Sequence, residues 1–294
     1  MGNWLHSTAA VDVRRTSWSW AEAPASALGR GGRDAAVPVL NYHAVGADVP
    51  GRHAPFAVTA EEFGRHLDAI ADAGLRTITF GQYAEARARG SALEGSVVLT
   101  FDDGFVDFHH VAAPMLADRC MVATAFVPTG HVAPTARSTG WRQMSWCEIR
   151  DVMGAGMEIG SHGHRHVALD LDPRIAATEL GSSRTILEQE LQRRVDTIAY
   201  PFGWSAPWLL ELGRELGYVA GCIVDHSLGH PTEHPLAVSR LRVRHDTTAE
   251  LLSGWLAGHG VRPAGRGERL ATRAYRLVRR TRRLLHGERV DPWP

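Results

Sequence analysis

Between Val37 and Ala257 the chain alternates two patterns. Short, nearly unbroken apolar runs are followed by longer stretches in which apolar residues return every three or four positions. The runs Val37–Asn41, Arg76–Thr79, Val97–Phe101, Val122–Val127, Met157–Gly160, Thr197–Tyr200, Tyr218–Val224 and Arg240–Arg244 predict strands, being too short for independent helices. The intervening stretches Ala60–Ala73, Val106–Arg119, Trp146–Ala155, Pro173–Arg194, Pro207–Leu216 and Thr248–Ala257 carry the helical period. Pro173 suits a first helical turn, and Gly74 and Gly217 suit helix stops. Buried strands alternating with helices predict an α/β fold with a parallel sheet, closed or nearly closed into a barrel.

Chemistry in such a barrel sits at the C-terminal ends of the strands. Four groups fall there: His43, the pair Asp102-Asp103, the pair His162 and His166, and the turn Pro201-Phe202-Gly203. They come from distant parts of the chain, and this convergence is the main argument for a site. Two adjacent carboxylates can divide their labour, one holding a metal and the other moving protons, because successive side chains diverge at a strand end. The plain alternative is that Asp102-Asp103 caps the following helix. His162 and His166 are four apart, so a helical turn or compact loop aims both at one ion. Two histidines and one carboxylate leave positions open for water and substrate. That donor set suits zinc, and cobalt, nickel or iron fit the same ligands. His164, between them, reads as a supporting or exposed residue. His43 can reach the site as a general acid or serve as a structural hydrogen-bonding residue. Pro201-Phe202-Gly203 can present a backbone N–H to an oxyanion or form an ordinary turn.

Composition adds limits. The 294 residues are 44% hydrophobic, enough for one large barrel, and the formal net charge is zero. No global field selects nucleic acid, and none is expected as a partner. All the basic charge is arginine, as a GC-rich coding sequence would also produce. Cys120, Cys147 and Cys222 are few and widely spaced, which fits reduced thiols. No stretch has signal-peptide or membrane-span character, so the chain reads as cytoplasmic. Residues 1–36, with Trp4, Trp18 and Trp20, read as an arm without sustained periodicity, and 37–260 as the barrel. In the 261–294 tail, the ten arginines from Arg262 to Arg289 face only Glu268 and Glu288 over that stretch, with Leu270, Ala274, Leu277, Val278, Leu284 and Leu285 along one side. Such a helix can contact an anionic membrane peripherally. Otherwise it packs its leucines on the barrel and leaves its arginines in solvent.

Thr100-Phe101-Asp102-Asp103-Gly104, Ser161-His162 with His166, and Ala199-Tyr200-Pro201-Phe202-Gly203 resemble three motifs of the polysaccharide deacetylase family (carbohydrate esterase family four, the NodB-homology domain). The similarity spans roughly Val37 to Val243 and extends to Met144-Ser145-Trp146 and the helix Glu179–Leu191. It implies a distorted (β/α) barrel that removes acetyl groups from N-acetylated sugars. By position it makes Asp102 the general base, Asp103, His162 and His166 the metal ligands, and the Phe202 N–H an oxyanion donor. Two departures stand out. Ala199 occupies the place of an arginine that orients the base. The late leucine-rich motif with its histidine is not evident after Val224. Leu40-Asn41-Tyr42-His43 instead resembles the N-terminal segment of a permuted branch that includes poly-N-acetylglucosamine deacetylases, and His43 takes the acid role on that basis. His226, His230, His234 and His245 are weaker candidates.

The leading expectation is metal-dependent hydrolysis of an N-acetyl amino sugar. The alternatives are deacylation or deformylation of a small or lipid-linked glycoside, and a weakly active glycan-binding barrel, the last suggested by the missing arginine.

Overall fold

The computed structural model describes residues 36–264, apart from 47, 48, 50, 136–140 and 231, together with 274, 276–279 and 281. Residues 1–35 of the expected arm, and most of the expected basic tail, lie outside the described residues.

All eight apolar runs form strands of one sheet. These are β1 (Val39–Tyr42), β2 (Arg76–Ile78), β3 (Ser96–Phe101), β4 (Thr124–Val127), β5 (Glu158–Ser161), β6 (Thr197–Ala199), β7 (Ala220–Cys222) and β8 (Leu241–Arg242). Every pairing is parallel, in the order β8-β1-β3-β4-β5-β6-β7. β2 pairs with the first half of β3, below the place where β4 joins the second half. The sheet curls until its edges nearly meet, since Cys222 at the end of β7 bridges to Val238 just before β8.

Seven α-helices pack around it: α1 (Ala60–Asp72), α2 (Phe80–Arg89), α3 (Ala113–Ala117), α4 (Trp146–Gly154), α5 (Pro173–Leu191), α6 (Pro207–Glu215) and α7 (Ala249–Leu256). α2 was not predicted. Its Thr79–Gln82 capping box starts a helix directly from the strand, and Phe80 and Tyr83 plug the N-terminal end of the barrel. The helix expected over Val106–Arg119 divides into a widened, π-type turn at Phe108–Ala112 and then α3. Pro114 has no N–H to continue the ordinary ladder, which accounts for the change.

The period of two along each strand sorts side chains between two cores. Leu40 and Tyr42 of β1, Val97, Leu99 and Phe101 of β3, and Ala125 and Val127 of β4 face the helices. They join Phe63, Leu67, Ile149, Leu252 and Trp255 in the outer core. Val39, Val98, Phe126, Ala220 and Cys222 face the barrel axis. The axis is tight: a Cβ on Gly160 of β5 would lie 2.5 Å from the Phe126 ring. Continuing the inward set toward the strands' C-terminal ends gives Asn41 and His43, Thr100 and Asp102, His162, Arg240 and Arg242. The apolar lower barrel therefore leads into a polar mouth.

Of the tail, the described residues reverse the expected packing. Arg279 pairs with both carboxylate oxygens of buried Asp170 and lies 3.6 Å from the Trp204 ring centroid. Arg276 Nη1 donates to the Ser205 carbonyl at 2.6 Å, while Leu277 and Val278 are exposed. The arginines pack because a buried carboxylate and an indole face offer them more than solvent does.

Candidate active site

Asp102 leaves β3 with its side chain inward. The next residue would ordinarily point out, but Asp103 adopts φ 70°, which turns its carboxylate back into the mouth. Three of the six described non-glycine residues with positive φ are Asp103, His166 and Phe202, all proposed for the site. Such conformations persist only where the surroundings impose them.

The imposing contacts can be followed. His162 Nδ1 lies 2.7 Å from the Ala199 carbonyl, which leaves Nε2 facing the centre. Buried Glu179 of α5 grips the loop after His162, accepting from the backbone N–H of His164 at 3.0 Å and of Arg165 at 2.6 Å. Arg165 Nε also donates to Glu179 at 2.7 Å. The loop then turns at His166 with φ 55°. His164 points elsewhere, with Nδ1 2.9 Å from the Thr129 hydroxyl.

Three donors converge. Asp103 Oδ1 lies 3.4 Å from His162 Nε2 and 3.2 Å from His166 Nε2. That oxygen is buried and accepts no hydrogen bond, and all three candidate ligand atoms fall within 4.8 Å of one another. A buried carboxylate oxygen without a hydrogen bond, facing two imidazole nitrogens, is the donor set of a divalent metal, so the residues fit the ion the sequence implied. Burial alone would raise the Asp103 carboxyl, but the two imidazoles hold it well below the usual carboxylate range. A second grouping among the described residues joins half-buried His109 and exposed His110 to buried Glu148. Its carboxylate is already bound by Arg142, at 2.7 and 2.8 Å, and by Ser145.

Asp102 is held differently. Arg240, fully buried, forms a bidentate pair with it, Nη1 to Oδ1 and Nη2 to Oδ2, both at 2.7 Å. Arg240 Nη1 also donates to the Thr100 hydroxyl at 3.0 Å, and Nε to the Ile223 carbonyl at 3.2 Å. Asn41 Nδ2 donates to Asp102 Oδ2 at 2.9 Å. Burial would raise Asp102, but Arg240, then His162 and His43, outweigh it and hold the carboxyl below its usual range.

Arg240 corrects the expectation that Asp102 lacks an orienting arginine. Ala199 does lack the side chain, yet its carbonyl fixes His162, and the guanidinium arrives from the opposite edge of the sheet. Neither Arg240 nor Asn41 was assigned a role from sequence. The signal was present in Arg240-Leu241-Arg242-Val243-Arg244, where charge alternates with apolar residues at the strand period.

His43 follows Tyr42, which pairs with Phe101, so His43 and Asp102 leave neighbouring strands at the same level. Its ring lies 5.1 Å from Phe56, and its Nδ1 is buried without a hydrogen bond. Burial lowers its pKa, opposed by the Asp103 and Asp102 charges. Phe202, at φ 62°, packs edge-on against His166 with centroids 4.7 Å apart, which sets the Pro201–Gly203 loop beside the donor cluster. Gly203 at φ +70° is required there, because a Cβ would lie 2.5 Å from Val224. His226, His230, His234 and His245 do not join the cluster.

Residues 89–221 match the polysaccharide deacetylase family. That match, together with the relatives and solved structures that follow, supports a deacetylase of this family. YxkH of Bacillus subtilis (strain 168), which carries the polysaccharide deacetylase name, is 25% identical over 214 residues, 72% of each chain. A poly-β-1,6-N-acetyl-D-glucosamine N-deacetylase of Staphylococcus aureus (strain MSSA476) is 20% identical over 69% of this chain and 73% of its own. The Streptococcus pyogenes deacetylase PplD, solved with acetate, superposes with a TM-score of 0.67 at 25% identity, covering 74% of this chain and 96% of its own. The curled parallel sheet of this family is the one described above.

Proposed function

We propose that this polysaccharide deacetylase family member hydrolyses the N-acetyl amide of an amino sugar, in a polysaccharide, an oligosaccharide or a glycoside precursor, and releases acetate. The observation that carries this reading is the buried convergence of Asp103, His162 and His166 beside a separately clamped Asp102. One carboxylate faces two imidazoles and the other faces an arginine, so metal holding and proton transfer fall to different groups. The N-deacetylase activity carried in the name of the Staphylococcus aureus relative supports the amide and the sugar.

A divalent ion held by Asp103, His162 and His166, zinc by its donor set, with cobalt, nickel or iron fitting the same ligands, supplies Lewis acidity toward water and the acetyl carbonyl when bound. The chain's own groups do the rest. Asp102, kept ionised by Arg240 and oriented by Asn41, accepts the proton of the attacking water. The Phe202 N–H donates to the oxygen on which negative charge develops. His43 protonates the departing amine. The weakly active binding-barrel reading drew on the absent arginine at Ala199; with Arg240 in its place, that reading has no observation in its favour.

The test is acetate release from N-acetylglucosamine oligomers by the intact protein, by the chelated protein, and by Asp102→Asn. The expected result is loss of turnover on chelation with return on adding zinc, and a fall of roughly 10²–10⁴-fold in the variant with metal still bound. Near-normal turnover in Asp102→Asn would remove Asp102 from the base role.

A further inference from the structure

A cavity of about 310 Å³, lined by Val224, Asp225, His226, Arg242 and Arg244, opens at the same end of the barrel as the site above. It shares two walls with that site. Val224 packs against Gly203 of the Phe202 loop. Arg244 lies 5.7 Å over the ring of Phe56, whose other neighbour is His43.

The charge in this cavity is unbalanced. Arg242 is half-buried and forms no ion pair among the described residues, and burial with the nearby Arg244 and Arg240 lowers its pKa. Among the described residues the carboxylate paired with Arg244 is that of exposed Asp246, at 3.5 Å. Asp225 is the one carboxylate in the lining and accepts from the Ser227 hydroxyl at 3.1 Å. His226, at φ 45°, accepts the Arg242 backbone N–H at 3.2 Å. Desolvating a guanidinium without a counter-charge is costly, and an anionic ligand reverses that cost.

We propose that this cavity is a subsite for an anionic group of the substrate, a phosphate ester or a carboxylate, with Arg242 and Arg244 as its ligands. This rests on the deacetylase reading and narrows it to N-acetylated carbohydrates that carry negative charge close to the acetamide. The shared walls set the distance, since the anion and the acetamide occupy neighbouring pockets of one mouth.

The experiment compares three probes: neutral methyl N-acetylglucosaminide, N-acetylglucosamine 1-phosphate, and N-acetylmuramic acid, which carries a carboxylate. The phosphate and carboxylate arms distinguish the two anion sources. Acetate release by the metal-loaded protein is expected to favour at least one anionic probe over the neutral one by about 10-fold or more in kcat/KM, mainly through KM. Arg242→Gln is expected to bring that ratio close to unity, and Arg242→Lys to retain part of it. Calorimetry on Asp102→Asn measures probe binding without turnover. Equal turnover of all three probes overturns the subsite and leaves the deacetylase reading standing. No turnover, with Arg242-dependent preference for an anionic probe in calorimetry, keeps the subsite and overturns the deacetylase reading. Absence of both turnover and preference overturns both.

Discussion

Replacing Arg240 with leucine removes one member of a fully buried ion pair and leaves the other in place. Both Asp102 oxygens lose a partner that sits at 2.7 Å. Breaking a buried pair in this way costs about 3–5 kcal/mol, because the remaining charge is stranded away from water. The lost bonds to Thr100 and the Ile223 carbonyl add about 1 kcal/mol each. A domain of ordinary stability has only about 5–15 kcal/mol to lose, so Arg240→Leu stands close to its folding threshold. Arg240→Lys is the informative companion. It keeps the charge but reaches one oxygen where the guanidinium reaches two, so its loss is smaller. The double variant Arg240→Leu/Asp102→Asn strands no charge, and is expected to be more stable than Arg240→Leu alone. The assay is urea denaturation of the chelated proteins, so that metal binding does not shift the equilibrium. Activity gives a second readout. Without Arg240 the Asp102 carboxyl rises from its depressed position, so a smaller fraction of it is ionised at a given pH. The acid limb of turnover is therefore displaced upward from that of the parent in Arg240→Leu, and less so in Arg240→Lys, which keeps a positive charge beside Asp102. A stability within about 1 kcal/mol of the parent for Arg240→Leu, or an unmoved pH limb, would refute the reasoning.

Three further outcomes are expected. His162→Ala/His166→Ala loses its divalent ion by elemental analysis while circular dichroism keeps the parent's shape; full metal occupancy in the folded double variant sinks the ligand assignment. His43→Ala lowers turnover of the sugar acetamide far more than turnover of an activated anilide or ester, which needs less protonation of its leaving group; equal losses on both make His43 a positioning residue instead of the acid. Asp107, buried near the mouth, has its carboxyl pushed up to about 7 by burial, against the backbone N–H groups of Val45 and Phe108 that favour the ionised form. Because the folded state holds the proton more tightly than the unfolded chain, that contribution is present below about pH 4 and is lost as pH rises to about 7, so Asp107→Asn gains on the parent by a few kcal/mol between about pH 4 and about pH 7. A gap in melting temperature that does not change with pH contradicts it.

The strands were legible because each is buried on both faces and reads as an apolar run. The longer helices were legible because one face is buried and repeats every three or four residues. The grouping of Asp103, His162 and His166 was legible for a related reason. Asp103 follows a strand, and His162 and His166 lie within one short loop, so local spacing already aims them. α2 escaped because its start is signalled by the Thr79–Gln82 box and its burial rests on Phe80 and Tyr83 alone, too few apolar positions to show a period. Arg240 and Asn41 escaped for a different reason. Asp102 and Arg240 are 138 residues apart, and nothing local to either names the other. Their meeting depends on β8 pairing with β1, which in turn pairs with β3, so that the inward side chain of Arg240 reaches Thr100 and Asp102 from two strands away. The alternation of Arg240, Arg242 and Arg244 with Leu241 and Val243 was written in the chain, and it determined that three cations share one face. Only the order of strands in the curled sheet decided that the first of them meets the Asp102 carboxylate, while the other two line the cavity beside it.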